Sequence, residues 1–146
     1  MSFNVETFDQ ERAFVDWVIL ENGERWTNCI RRFHQDLLGT DVDVHIRQVH
    51  HHGDLRVPTS TRPTVFLLEV GTSNFVDSLD TLTQKLCSPS NQLWLIACNR
   101  LSLNRRLVLG ELNIAGFLEQ PENILRFKPI LDGYFEKTSD VQFAQN

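Results

Sequence analysis

Hydrophobic positions along this chain follow two periodicities that take turns. Phe14 to Leu20 is apolar almost throughout, broken only by Asp16, and predicts a buried central strand. Glu21, Asn22 and Gly23 interrupt it. From Glu24 to Leu38 the residues Trp26, Cys29, Ile30, Phe33, Leu37 and Leu38 recur at helical spacing, and Gly39 supplies a stop. Val42 to Val49 begins with strict alternation, as a strand near a sheet edge does when one face is buried and the other wet. Between His50 and Pro63 the pattern dissolves; Pro58 and Pro63 would truncate a helix, which leaves a long loop or one short turn.

Thr64 to Val70 is the most strand-like segment, apolar on consecutive positions as a strand covered on both faces should be. Gly71, Thr72 and Ser73 form a turn in which Thr72 or Ser73 can cap the next helix. That helix carries Phe75, Leu79, Leu82 and Leu86 on one stripe and ends before Ser88. Leu93 to Cys98 is a further strand, and Asn99 to Leu112 reads as a loop and a helix with Leu103, Leu107 and Leu109 facing inward. Ile114 to Glu119 is a fifth strand. Pro121 to Lys137 is a last helix in which Pro129 imposes a kink, or a break with Pro129 restarting the helix in its first turn.

Five short strands alternating with amphipathic helices indicate an α/β fold, a five-stranded parallel sheet with helices on both faces. In such sheets ligands bind beyond the carboxyl ends of the strands, where the strand order switches. Here those ends carry Glu21 and Asn22, Glu69, Ala97 and Cys98, and Glu119 and Gln120.

Composition narrows the function classes. The 146 residues suit one domain, and a formal net charge of −5 argues against general nucleic-acid binding, with the grouped arginines read as solvated helix sides. Cys29, Cys87 and Cys98 show no metal-binding spacing, and an odd count without a leader points to a reducing, cytoplasmic setting. No apolar run approaches the roughly 20 residues that span a bilayer, so no membrane is expected. No nucleophile elbow and no phosphate-cradling glycine loop is present.

The acidic step after the first strand, the carboxylate ending the third and the junction Gly116-Phe117-Leu118-Glu119-Gln120-Pro121 together resemble response-regulator receiver domains. The resemblance covers residues 14–137, with 1–13 as an N-terminal extension and 138–146 as a flexible tail. It implies the strand order 2-1-3-4-5, while the pattern from His50 to Pro63 leaves the second helix short or missing. It also implies a site: an acidic pair that holds Mg²⁺, an aspartate that accepts phosphate, a Ser or Thr after the fourth strand, and a Lys before a Pro after the fifth. An in-line attack by carboxylate on phosphorus requires that metal and that cation to neutralise charge.

This chain departs from the pattern at each place. Glu21-Asn22 keeps one charge of the pair, and Glu69 stands at the acceptor aspartate with one extra methylene. Ala97 stands at the hydroxyl position, or Ile96 or Cys98 does if the register shifts by one, and Gln120 replaces the lysine. The expectation is a pseudo-receiver, not an enzyme, with no cofactor; the alternative is a working phosphate- or Mg²⁺-dependent receiver or enzyme that uses Glu21 and Glu69 as ligands. Glu69 reads either as a standing mimic of a charged acceptor or as a solvated strand end. His50, His51 and His52, with His45 on the preceding strand, offer a second alternative as metal ligands, against a polar loop that titrates near neutrality. His34 is expected at the surface.

The resemblance further implies signalling by contact, through a homodimer or a protein partner on the face of the fourth helix, fifth strand and fifth helix. Leu101, Arg105, Arg106, Phe117 and Tyr134 are the candidates there, with Glu111, Glu122 and Lys128 as rim charges. Tyr134 and Phe135 are expected to bury one side in the core. As the sequence ends at Asn146, no output domain is expected to follow.

Overall fold

The computed structural model describes residues 13–55, 63–85, 92–98, 100–112 and 114–135. Strands β1 (Ala13–Leu20), β2 (Val42–Val49), β3 (Thr64–Val70), β4 (Gln92–Cys98) and β5 (Gly116–Leu118) form one parallel sheet in the order β2-β1-β3-β4-β5. Helix α1 (Arg25–Leu38) joins β1 to β2, α2 (Phe75–Lys85) follows β3, and α3 (Leu103–Gly110) follows β4. A single 3₁₀ turn, His52–Asp54, is the only helical element among the described residues between β2 and β3. This is the expected order 2-1-3-4-5, and among the described residues that turn is all that stands in the place of the second helix. The tails, Leu86 and Cys87 lie outside the described residues.

Burial explains why the three middle strands read as continuous apolar runs. Val15, Trp17 and Ile19 of β1, with Val65, Leu67, Leu93 and Leu95, pack on one face against Trp26, Ile30 and Leu37 of α1 and against Ile124, Phe127 and Leu131. Val18, Leu20, Phe66, Leu68, Trp94 and Ile96 fill the other face against Leu82 of α2 and Leu109 of α3. Phe66 and Trp94 stack across neighbouring strands with ring centroids 4.0 Å apart. Asp16, the one polar residue inside β1, meets His45 of the edge strand at 3.7 Å. The edge strand β2 turns Val42, Val44 and Ile46 toward the core and leaves His45 and Arg47 exposed.

Three local expectations are corrected. Leu103 and Leu107 are 71 % and 60 % exposed, whereas Leu109 is fully buried and Leu101, in the loop before the helix, is 6 % exposed. Ser102 fixes this phase, its hydroxyl capping the Arg105 amide. At about 100° per residue, Leu107 then lies some 200° around the helix from Leu109. Strand β5 is shorter than Ile114 to Glu119, because the chain joins the ladder only when Ala115 donates to the Trp94 carbonyl. Asn74, not Thr72 or Ser73, directly precedes α2, and its side chain folds back to accept from the Gly71 amide and donate to the Glu69 carbonyl.

At the last helix the break is realised. Pro121–Phe127 is a 3₁₀ stretch with Pro121 in its first turn, and residues 128–135 continue as α-helix with Pro129 second. Tyr134 and Phe135 are partly buried against the core and meet edge to face. His34 is half-buried.

Candidate functional site

Among the described residues, two clefts open at the carboxyl ends of the strands. The first, about 330 Å³, lies beyond β1 and β3 and is lined by Glu21, Asn22, His50, His51, His52, Glu69 and Asp77, among others. The second, about 500 Å³, lies beyond β4 and β5 and is lined by Arg106, Glu119, Gln120, Asn123 and Arg126 above Cys98, Phe117 and Phe127.

Glu21 does not present a free carboxylate to the first cleft. It is 3 % exposed, and its side chain turns back onto the start of α1. One oxygen accepts from the Trp26 amide at 3.0 Å; the other accepts from the Thr27 amide and the Thr27 hydroxyl, each at 2.6 Å, with the Gln48 amide at 3.4 Å. Trp26 and Thr27 are the second and third residues of the helix, whose first-turn amides have no partner within it. Glu24, at the cap position, makes no side-chain bond. A negative group here satisfies those donors and the positive end of the helix dipole together. Sequence reasoning missed this role; the available signal was a carboxylate shortly ahead of a helix whose own cap residue is a poor capper.

Glu69 is half-buried at the end of β3, and among the described residues no donor engages its carboxylate. Across the β3–β4 ladder it stands opposite Ala97, which is buried and offers no hydroxyl. Neither Ile96 nor Cys98 takes that place. Gln120 is exposed and lines the second cleft rather than the first. The structure thus gathers Glu21, Asn22 and Glu69, and leaves Ala97 and Gln120 outside their cleft.

The histidines are spent on separate tasks. His50 Nδ1 lies 3.0 Å from the Glu21 carbonyl, and His52 Nε2 lies 3.1 Å from the Ser78 hydroxyl on α2. Burial pushes the His52 imidazole below its usual pKa, with Asp77 opposing the shift. His45 stands on β2 beside Asp16. No group of three or more His, Cys, Asp or Glu is placed to hold a metal ion among the described residues.

On the opposite side of the sheet's carboxyl end, the Arg106 guanidinium pairs with Glu119, and Arg105 lies 5.5 Å over the Phe75 ring. Phe117 is partly exposed, as are Val108 and Leu125. Of the expected contact residues, Leu101 belongs to the core and Tyr134 is half in it, while Arg105, Arg106 and Phe117 reach the surface. The thiol of Cys29 is pushed up to about 11, first by burial and then by Glu122, and sits 3.2 Å from the Pro121 carbonyl.

The sheet order, the helices on both faces and the carboxylate-bearing strand ends define a receiver-like α/β fold. Solved structures bear this out. The chain superposes on a CpaE2 pilus assembly protein from Sinorhizobium meliloti 1021 with a TM-score of 0.54 at 10 % identity, covering 76 % of this chain and 94 % of that one. It matches the pilus assembly protein CpaE of Caulobacter crescentus CB15 (TM-score 0.53, 12 % identity, 82 % and 93 % covered). It also matches a CheY-like response regulator from Mesorhizobium loti (0.52, 15 % identity, 80 % and 95 %). No family model and no curated protein sequence matches the chain. Among the described residues no helix is long and apolar enough to cross a membrane.

Proposed function

We propose that this chain is a receiver-like interaction module that does not accept phosphate, and that it acts through the surface of α3, β5 and the helical segment after Pro121. The observation that carries this reading is the Glu21 carboxylate, folded onto the α1 amides. A metal ligand must turn lone pairs toward the ion, and the Glu21 carboxylate is buried with both oxygens engaged at the start of α1, so ligation would cost it bonds that cap the helix. Glu69 then has no free carboxylate from Glu21 to share a metal with, no hydroxyl at Ala97 to bond a phosphoryl group and no cation at Gln120 to neutralise one. Signalling by contact is supported by the exposed apolar side chains Leu103, Leu107 and Val108 of α3, Phe117 of β5 and Leu125 of the 3₁₀ stretch. The fold neighbours include pilus assembly proteins and a response regulator, which fits a regulatory or assembly role among proteins in a bacterial-type pathway.

Intact-protein mass after incubation with acetyl phosphate and Mg²⁺ tests the reading, with a Glu69→Asp, Gln120→Lys double variant alongside. The wild type is expected to gain no phosphoryl group. A wild-type adduct abolished by Glu69→Gln would overturn the reading and make this a functioning switch.

A further inference from the structure

We infer that the cleft between α3, β5 and the 3₁₀ stretch after Pro121 receives a carboxylate side chain from an acidic segment of another protein, with apolar neighbours of that carboxylate resting on the rim. The inference deepens the interaction-module reading by naming the chemistry of the partner, and it rests on that reading only for the choice of a protein as occupant.

The charges come first. Arg106 and Arg126 face the cleft, against one carboxylate, Glu119, so its lining carries a net positive charge on a chain whose formal net charge is −5. Arg126 is exposed, and its side chain has no ion pair or hydrogen bond among the described residues. Arg106 is only half used: one terminal nitrogen bonds a single oxygen of Glu119, while its Nε–H is buried with no acceptor. A guanidinium binds carboxylate best through two parallel N–H donors, so a buried Nε without a partner is an unfilled half of such a fork. Glu119 is 55 % exposed at its side chain, so water weakens its pairing with Arg106 and an incoming acid can displace it.

The rim supplies the rest. Phe117 lines the cleft and is partly exposed, Leu107 and Leu125 expose apolar surface elsewhere on α3 and the 3₁₀ stretch that border it, and Gln120 and Asn123 add amides that can bond a peptide backbone. About 500 Å³ accommodates a side chain with its flanking backbone. A charged anchor inside an apolar rim is the arrangement in which a desolvated ion pair fixes specificity.

The test is an NMR titration of the full chain with the blocked peptide Leu-Glu-Leu, its Leu-Gln-Leu analogue and inorganic phosphate. The Glu peptide is expected to shift the amides of Glu119, Asn123 and Arg126 and to bind at least about fivefold more tightly than the Gln peptide. Arg126→Ala, on an exposed position, is expected to remove that preference; Glu119→Gln, which unloads Arg106, is expected to strengthen binding. Equal affinity for the two peptides, or shifts confined to other surfaces, would overturn the inference. So would equal shifts with inorganic phosphate, which would make the cleft a simple anion site. None of these outcomes depends on whether Glu69 can be phosphorylated, so this inference and the mass measurement fail separately.

Discussion

Glu21 stands at the strand end where the sequence places it, and its carboxylate caps the start of α1. The strand end where it sits was legible from the sequence, because an apolar run closing on a polar step marks the rim of a parallel sheet. Its orientation was not, since that depends on which orphan amides of α1 lie within reach after folding. Glu21→Ala is expected to cost about 2 kcal/mol in urea unfolding, with the loss borne by the α1 end. Glu21→Gln should fall between, as an amide can accept with only one of its two heavy atoms. Mg²⁺ should leave the wild-type unfolding midpoint unchanged, because a ligand that does not bind the native state cannot stabilise it.

Two titrating residues extend the same logic. The folded state holds His52 neutral more strongly than the unfolded chain does, so its contribution is complete above the ordinary value of 6.5 and is lost as pH falls below it. His52→Asn should flatten that part of the acid unfolding profile. Cys29 works in the other direction. Its folded pKa of about 11 lies above the unfolded 9.0, so its contribution is complete below pH 9 and disappears as pH rises toward 11. The thiol should accordingly resist alkylation at neutral pH until the protein is unfolded, as read by mass after iodoacetamide.

At the scale of elements, periodicity identified every strand and helix that the described residues contain, and it failed where phase or length depends on a partner. In α3 the leucines alone allow two inward faces, and the choice between them is made by Ser102 and by Leu101 reaching the core from the loop. In the last segment Pro129 announced a break, but not that Pro121–Phe127 would form a 3₁₀ stretch lying close to β5. Gly116 makes that approach possible: a Cβ there would stand 3.0 Å from Ile130 Cδ1 and 3.2 Å from Phe127 Cε1. Gly116→Val should therefore destabilise by roughly 1–3 kcal/mol through overpacking, measured by urea unfolding. The end of α1 depends on glycine for another reason. Gly39 adopts φ 90° and ψ 167°, a region closed to side chains, and Gly39→Ala should cost roughly 1–3 kcal/mol in the same assay.

For the whole molecule, the fold was the part most open to reading, because alternation of strand and helix leaves few topologies once crossovers must be right-handed. The candidate site was legible only as a set of positions. Ala97 opposite Glu69 follows from register, whereas the assignment of Gln120 to a different cleft depends on how the chain leaves β5. The exposed leucines of α3 give a test at this scale. A Leu103→Glu, Leu107→Lys variant should unfold within about 0.5 kcal/mol of wild type, since neither side chain supports the core. Loss of stability beyond that would mean that α3 relies on contacts across its outer face.

The shortness of β5 has a consequence for how the molecule breathes. Three residues hold this strand to β4, against full ladders of seven residues between β3 and β4 and eight between β1 and β2. Opening free energies in a native protein follow such differences in cooperative units. Amide hydrogens of β5 and the segment after Pro121 should therefore exchange with solvent well before those of β1, β3 and β4. The wall of the arginine cleft would then belong to the first unit to detach, and a partner seated there would slow its exchange while leaving the central strands untouched.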